Sequence, residues 1–168
     1  QQYQVEAKRV TLSKTFTNEA DFLKSLNMKS TVEGFTKFNI PRVAQLSQRS
    51  NQFNLRTIRY NEADVAVMAE DPNIIDLSFT LEDKFGDNGL VAVVILKPTK
   101  MDKNTLFIDT WLMSCRVLKR GLESFVLNTI VERARKAGYQ RIVGEYLHTT
   151  KNKMVEQHYP CLGFRKCE

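Results

Sequence analysis

The chain has 168 residues, 42% hydrophobic and 26% charged, with 25 Lys and Arg against 19 Asp and Glu for a net charge of +6. That is one domain's length with apolar material for a core, and no apolar run approaches the roughly 20 residues that cross a bilayer. The basic residues are spread along the chain, with no aromatic-interleaved basic stripe, which argues against nucleic acid and suits a phosphate-bearing cofactor or an acidic protein partner.

No secretory leader is apparent, so the cytoplasm is the expected compartment. Cys115, Cys161 and Cys167 are scattered and include no C-x-x-C pair, and His148 and His158 are the only histidines. That argues against a disulfide framework and against a zinc site. The chain opens on Gln1-Gln2 without Met, as an excised domain or a processed terminus would.

Residues 1–27 read as a helical linker or docking extension. Tyr3, Ala7, Val10 and Lys14 share one side of a first helix; Phe22, Leu23 and Leu26 form the apolar side of a second, capped by Thr17 or Asn18. The main domain covers residues 28–168, and its first expected strand is 30–35. Asn39 and Pro41 open a helix through Gln48, and Asn61 with Asp64 caps another that contains Val65 and Met68. Apolar runs at 74–81 and 90–96 flank Gly86-Asp87-Asn88-Gly89, and the Asn-Gly step predicts a hairpin turn there. Residues 106–115 make a further strand. Leu122, Phe125, Val126, Ile130 and Ala134 carry helical spacing that Gly138 ends. A strand at 141–146, a helix at 150–159 and a last strand from Phe164 complete the order. Hairpins demand antiparallel neighbours and helical crossovers parallel ones. The fold class is therefore α/β, a mixed central sheet flanked by helices behind an N-terminal helical extension.

Two junctions carry candidate chemistry. Arg116, Lys119 and Arg120 lead to Gly121 between a strand and a helix. Free amides and partial positive charge at a helix start attract phosphate, and glycine permits close backbone approach. The plain alternative is a basic loop with an ordinary glycine turn. Downstream, N-x-x-V-x-x-H-Y-x-x-L-G-F runs from Asn152 to Phe164. It places Tyr159 at the end of a short helix, as a proton donor or as a half-buried packing residue. His158, adjacent in the helix, is expected to face elsewhere.

Strand alternation puts Asp109, Trp111, Met113 and Cys115 on one side. A carboxylate beside Trp and Met is a candidate base with a raised pKa, or a hydrogen-bonded structural Asp. Cys115 is a candidate thiol nucleophile or a small buried hydrophobe. The amide-rich loop holding Arg49, Asn51, Gln52 and Asn54 around Phe53 offers directional hydrogen bonds to a polar substrate, or is a solvated helix end.

The element order and both junctions resemble the GNAT family, the Gcn5-related N-acetyltransferases, over about residues 28–168. The resemblance implies acyl-CoA held between two splayed central strands and a phosphate-binding motif Q/R-x-x-G-x-G/A before the long helix. It also makes Tyr159 the general acid for the leaving thiolate. Aligned on Val126-Leu127, Gly121 takes the first glycine, Glu123 the second small residue, and Leu118 the Gln or Arg. The Asn152-to-Phe164 string matches more fully, with Pro160 the odd member. On this reading Asp109 takes the acceptor's proton. Arg116, Lys119, Arg120, Gly121 and Asn152 bind the donor, and Arg49, Asn51, Gln52 and Asn54 border the acceptor.

The strings SQRSNQFNLRT, EDKFGDNGL, FIDTWLMSCRVLKRG and IVGEY resemble, more narrowly, the C-terminal GNAT-like domain of FkbH-like proteins. That resemblance implies a HAD-type phosphatase-like domain ahead of it, whose D-x-D-x-T/V motif is not in this sequence. Some members of that family load a glyceryl unit from a phosphorylated three-carbon donor onto an acyl carrier protein. Glu123 gains about 0.3–1 kcal/mol from the helix dipole, yet about 4 Å from a pyrophosphate it would lose roughly 4 kcal/mol at an effective dielectric near 20. The expected donor is acetyl-CoA or another acyl-CoA, or a carrier-protein phosphopantetheine arm; its single phosphate favours the arm. Two functions follow: acyl transfer from a thioester, or a non-catalytic module that docks an acyl carrier protein or a HAD-type partner.

Overall fold

The computed structural model describes residues 26–100, 102–117 and 121–167. The two expected N-terminal helices, apart from Leu26, lie outside them, as do Leu118, Lys119 and Arg120. Leu26 is fully buried, and its carbonyl accepts the Lys84 N–H at 2.8 Å.

Strands β1 (Lys29–Glu33), β2 (Ile75–Asp83), β3 (Gly86–Pro98), β4 (Thr105–Met113) and β5 (Arg141–Gly144) form one sheet in chain order. Each neighbouring pair is antiparallel except β4 and β5. Those two are parallel because helix α3 (Leu122–Lys136) crosses between them. Helices α1 (Ile40–Arg49) and α2 (Glu62–Glu70) link β1 to β2, and α4 (His158–Cys161) follows β5.

Both faces of the sheet are covered. Val43, Ala44 and Leu46 of α1 and Val65 and Met68 of α2 pack on Val93, Ile95 and Leu112. On the other face Leu122, Val126, Ile130 and Ala134 of α3, spaced by four, pack on Phe79, Val94 and Leu96. The expected cap on α2 is present: Asn61 accepts the Asp64 N–H at 2.8 Å, and Asp64 accepts the Asn61 N–H at 3.0 Å. Such a cap contributes about 1 kcal/mol.

Several boundaries differ from the sequence reading. The β2–β3 turn falls on Lys84-Phe85, ahead of Asn88-Gly89. Pairing jumps from Thr80↔Leu90 to Glu82↔Asp87, so β3 carries an extra residue. Gly89, at φ 68, supplies the left-handed conformation of that bulge. The expected helix 150–159 is instead a 3-10 turn at Lys153–Val155 followed by the four-residue α4. Residues 164–167 form no strand.

A further bulge shapes β4. Ile95 pairs with Thr110 but Leu96 pairs with Ile108, which leaves Asp109 extra. The insertion reverses the strand's parity: Leu106 and Ile108 before it share a face with Trp111 and Met113 after it. Asp109 is therefore not grouped with Trp111, Met113 and Cys115. Cys115 lies past the strand end, exposed in the 3-10 turn Cys115–Val117, so it is not a buried hydrophobe.

Candidate functional site

The parallel ladder of β4 and β5 holds four pairs, ending at Ile108↔Gly144, next to the Asp109 bulge. Beyond it the two chains part, as the family resemblance implies. The space between them is filled by residues 54–56. Asn54 bridges Leu112 in antiparallel sense, on the edge of β4 away from Leu112's β3 partner Val93. On the far side Leu147 donates its N–H to the Leu55 carbonyl at 2.8 Å. Phe53 and Leu55 are buried at 4% and 2% exposure, which anchors this short insert. Main chain of this insert thus occupies the edge of β4 at Leu112 and takes up the Leu147 amide.

The side chains expected to do chemistry hold this insert in place. Arg56 donates to the Asp109 carbonyl at 2.9 Å and to its carboxylate at 3.2 Å, and also pairs with Glu145 at 3.1 Å. The Asp109 carboxylate further accepts from Tyr60 at 2.7 Å and Thr110 at 2.9 Å, with Lys97 at 3.4 Å. The carboxylate thus meets two cations and two hydroxyls, which hold it in place. Asn152, fully buried, donates to the Asn54 carbonyl at 3.0 Å and the Leu147 carbonyl at 2.9 Å, and accepts the Thr149 N–H at 2.8 Å. It ties the insert to the chain after β5. The Asn54 side chain caps its own loop, accepting from Thr57 N–H at 2.8 Å and donating to Ser50 O at 3.2 Å.

Tyr159 lies at the same opening. A Cβ placed on Gly144 would stand 2.4 Å from its Cζ, so only glycine lets the ring cover the end of β5. Trp111, His158 and Phe164 surround the ring. Burial pushes its pKa up, with the Arg56 charge opposing and Glu145 adding. No hydrogen bond reaches its hydroxyl from the described residues. His158 does not face elsewhere: its ring lies 4.3 Å from Trp111 and 4.9 Å from Phe53, centroid to centroid. Burial lowers its pKa to about 4, and its Nε2 is buried without a partner.

The other predicted residues divide between two places. Arg49, Asn51, Gln52 and Arg116 line one cavity of about 680 Å³, between the end of α1 and the end of β4. Arg42 and Lys151 line it too, and the sequence reading missed both, although Arg42 stands seven residues before Arg49 on the same helix. Gly121, the left-handed residue before α3, opens instead on a smaller hollow of about 260 Å³ with Met28, Leu81 and Phe125. Arg116 and Gly121 thus line different cavities. Lys119 and Arg120 lie outside the described residues.

The chain was compared with known proteins. No family model matches the sequence, and no curated protein matches it. Solved structures do. The Escherichia coli ribosomal-protein-S18-alanine N-acetyltransferase superposes with a TM-score of 0.60 at 15% identity, over 83% of this chain and 80% of that one. The aminoglycoside N-acetyltransferase AAC(6')-Iy in complex with CoA gives 0.64 at 10% identity, over 84% and 91%. A GNAT family acetyltransferase of Staphylococcus aureus gives 0.56 at 11%, over 83% and 93%. The class defined is one of fold: this is a GNAT-like α/β domain. At 10–15% identity the likeness extends to the architecture and no further.

Proposed function

We propose that this domain is the GNAT-like C-terminal part of an FkbH-like protein, and that it acts on an acyl thioester carried by the phosphopantetheine arm of an acyl carrier protein. The observation behind the carrier protein is the filled opening between β4 and β5. Admitting an arm means breaking the Leu147–Leu55 and Asn152–Asn54 hydrogen bonds and loosening Arg56 from Asp109. A carrier protein brings a whole interface to offset that cost, whereas free CoA brings only its own atoms. The insert is also under tension. Thr57, β-branched, sits at φ 55, and its hydroxyl is buried without a partner. Each defect costs on the order of 1 kcal/mol or more, and opening relieves both. The hydroxyl at hand for the departing thiolate is that of Tyr159, kept protonated by burial.

The second reading, a docking module without turnover, is favoured by the structural engagement of Asp109 and Asn152. One comparison separates the two. The domain is incubated with acyl-loaded carrier protein and, separately, with acetyl-CoA, and thiol release is followed with Tyr159→Phe alongside. Release from the carrier alone, lost in the variant, is the expected outcome. Tight carrier binding without release assigns docking. Turnover of micromolar acetyl-CoA overturns the carrier preference.

A further inference from the structure

The cavity of about 680 Å³ beside α1 carries four cations, Arg42, Arg49, Arg116 and Lys151, and no acidic side chain is among its described lining residues. Arg42 and Arg49 lie two turns apart on one face of α1. Burial, then the charges of Arg116 and Arg49, hold the Arg42 guanidinium below the usual arginine value. Like charges gathered on a concave wall raise one another's energy, and an anion seated beside Arg42, Arg49 and Lys151 lowers it. Guanidinium forks match the spacing of phosphate oxygens. Asn51 and Gln52 add neutral donors to the same wall, and Arg59 donates to the Asn51 carbonyl oxygen, which leaves the Asn51 NH2 as the group on offer. Gly121 and Leu122, at the start of α3, line the other hollow.

We infer that this cavity is a phosphate-binding site, built by α1, the loop that follows it and the end of β4. Its ligand is the phosphate group of a small ester, either a simple phosphate monoester or the phosphate that carries a pantetheine chain. The inference does not rest on thioester turnover, because a cavity of this charge binds phosphate whether or not Tyr159 acts as an acid.

The test is calorimetry on the full chain at low salt with inorganic phosphate, 4′-phosphopantetheine, pantetheine and acetate. Saturable, mutually competitive binding of the first two is expected, none of the last two, and weakening as salt rises. Arg49→Gln and Lys151→Gln each remove a cation and should weaken phosphate binding about tenfold, while Lys29→Gln on exposed β1 leaves it unchanged. Unaltered thermal unfolding establishes that the variants are folded. Tighter binding of 4′-phosphopantetheine than of phosphate assigns the carrier arm as the source, and equal binding assigns a free monoester. Absence of saturable phosphate binding, equal binding of acetate, or affinity unchanged in both cavity variants overturns the site. Phosphate binding with no thiol release counts against acyl transfer alone.

Discussion

Acidification should unfold this domain partly through one side chain, His158. Its ring is enclosed by Phe53, Trp111 and Tyr159, and burial holds its folded pKa near 4 against an ordinary 6.5. The folded state thus keeps the imidazole neutral where the unfolded chain takes up a proton. Between pH 6.5 and pH 4 the unfolded state binds more protons, so stability falls as pH falls through that window. One pKa unit corresponds to about 1.4 kcal/mol, which makes the loss from pH 7 to pH 4 roughly 3 kcal/mol. Urea unfolding followed by the fluorescence of Trp111 reads this directly, since it is the only tryptophan and touches the histidine. Carboxylates titrate in the same range, so the measurement is a comparison with His158→Phe, which keeps an aromatic ring and removes the proton site. The variant should lose less stability than the parent over the interval, by roughly 3 kcal/mol. Parallel curves for the two proteins would refute the reasoning, and would mean that the ring opens to water before it is charged.

Asn152→Ala should cost about 3 kcal/mol or more in urea unfolding, because two backbone carbonyls lose their donor and Thr149 N–H its acceptor; a loss below about 1 kcal/mol would show that those groups find other partners. Gly144→Ala forces a methyl to 2.4, 2.7 and 2.8 Å from three atoms of the Tyr159 ring. It should destabilise by about 1–3 kcal/mol, and an unchanged melting temperature would mean the ring swings aside freely. Tyr159→Phe should stay within about 1 kcal/mol of the parent, since no described residue bonds the hydroxyl; a large destabilisation would expose a structural role and disqualify thiol release in this variant as a probe of acid catalysis.

Much of the frame was legible in the sequence because it rests on local signals. The four-residue spacing of Leu122, Val126, Ile130 and Ala134, the Asn61–Asp64 cap and the apolar run from Leu90 to Leu96 each act over a few residues. The errors arose where tertiary pairing decides. Asn88-Gly89 reads as a turn, but its backbone freedom serves a bulge, because the register across β2 needs an extra residue there. Alternation along β4 fails at Asp109 for the same reason, and no local pattern marks a bulge in advance. Of the residues singled out in the sequence, Tyr159 lies over Gly144 at the end of β5. The insert at 54–56 was not visible at all. Nothing in the amide-rich run around Phe53 announces it, because its partners Leu112, Leu147 and Asn152 are distant in sequence.

The insert at 54–56 also bears on solubility. If residues 54–56 leave, the outer rim of β4 at Leu112 and the Leu147 amide are both left bare, and an uncovered rim of this kind templates pairing with any stray polypeptide. Vacancy is therefore a hazard as well as an energetic cost. An incoming ligand does best by trading places with the loop bond for bond, and a truncation that removes residues 53–57 should yield a sticky, self-associating domain and not a permanently open one.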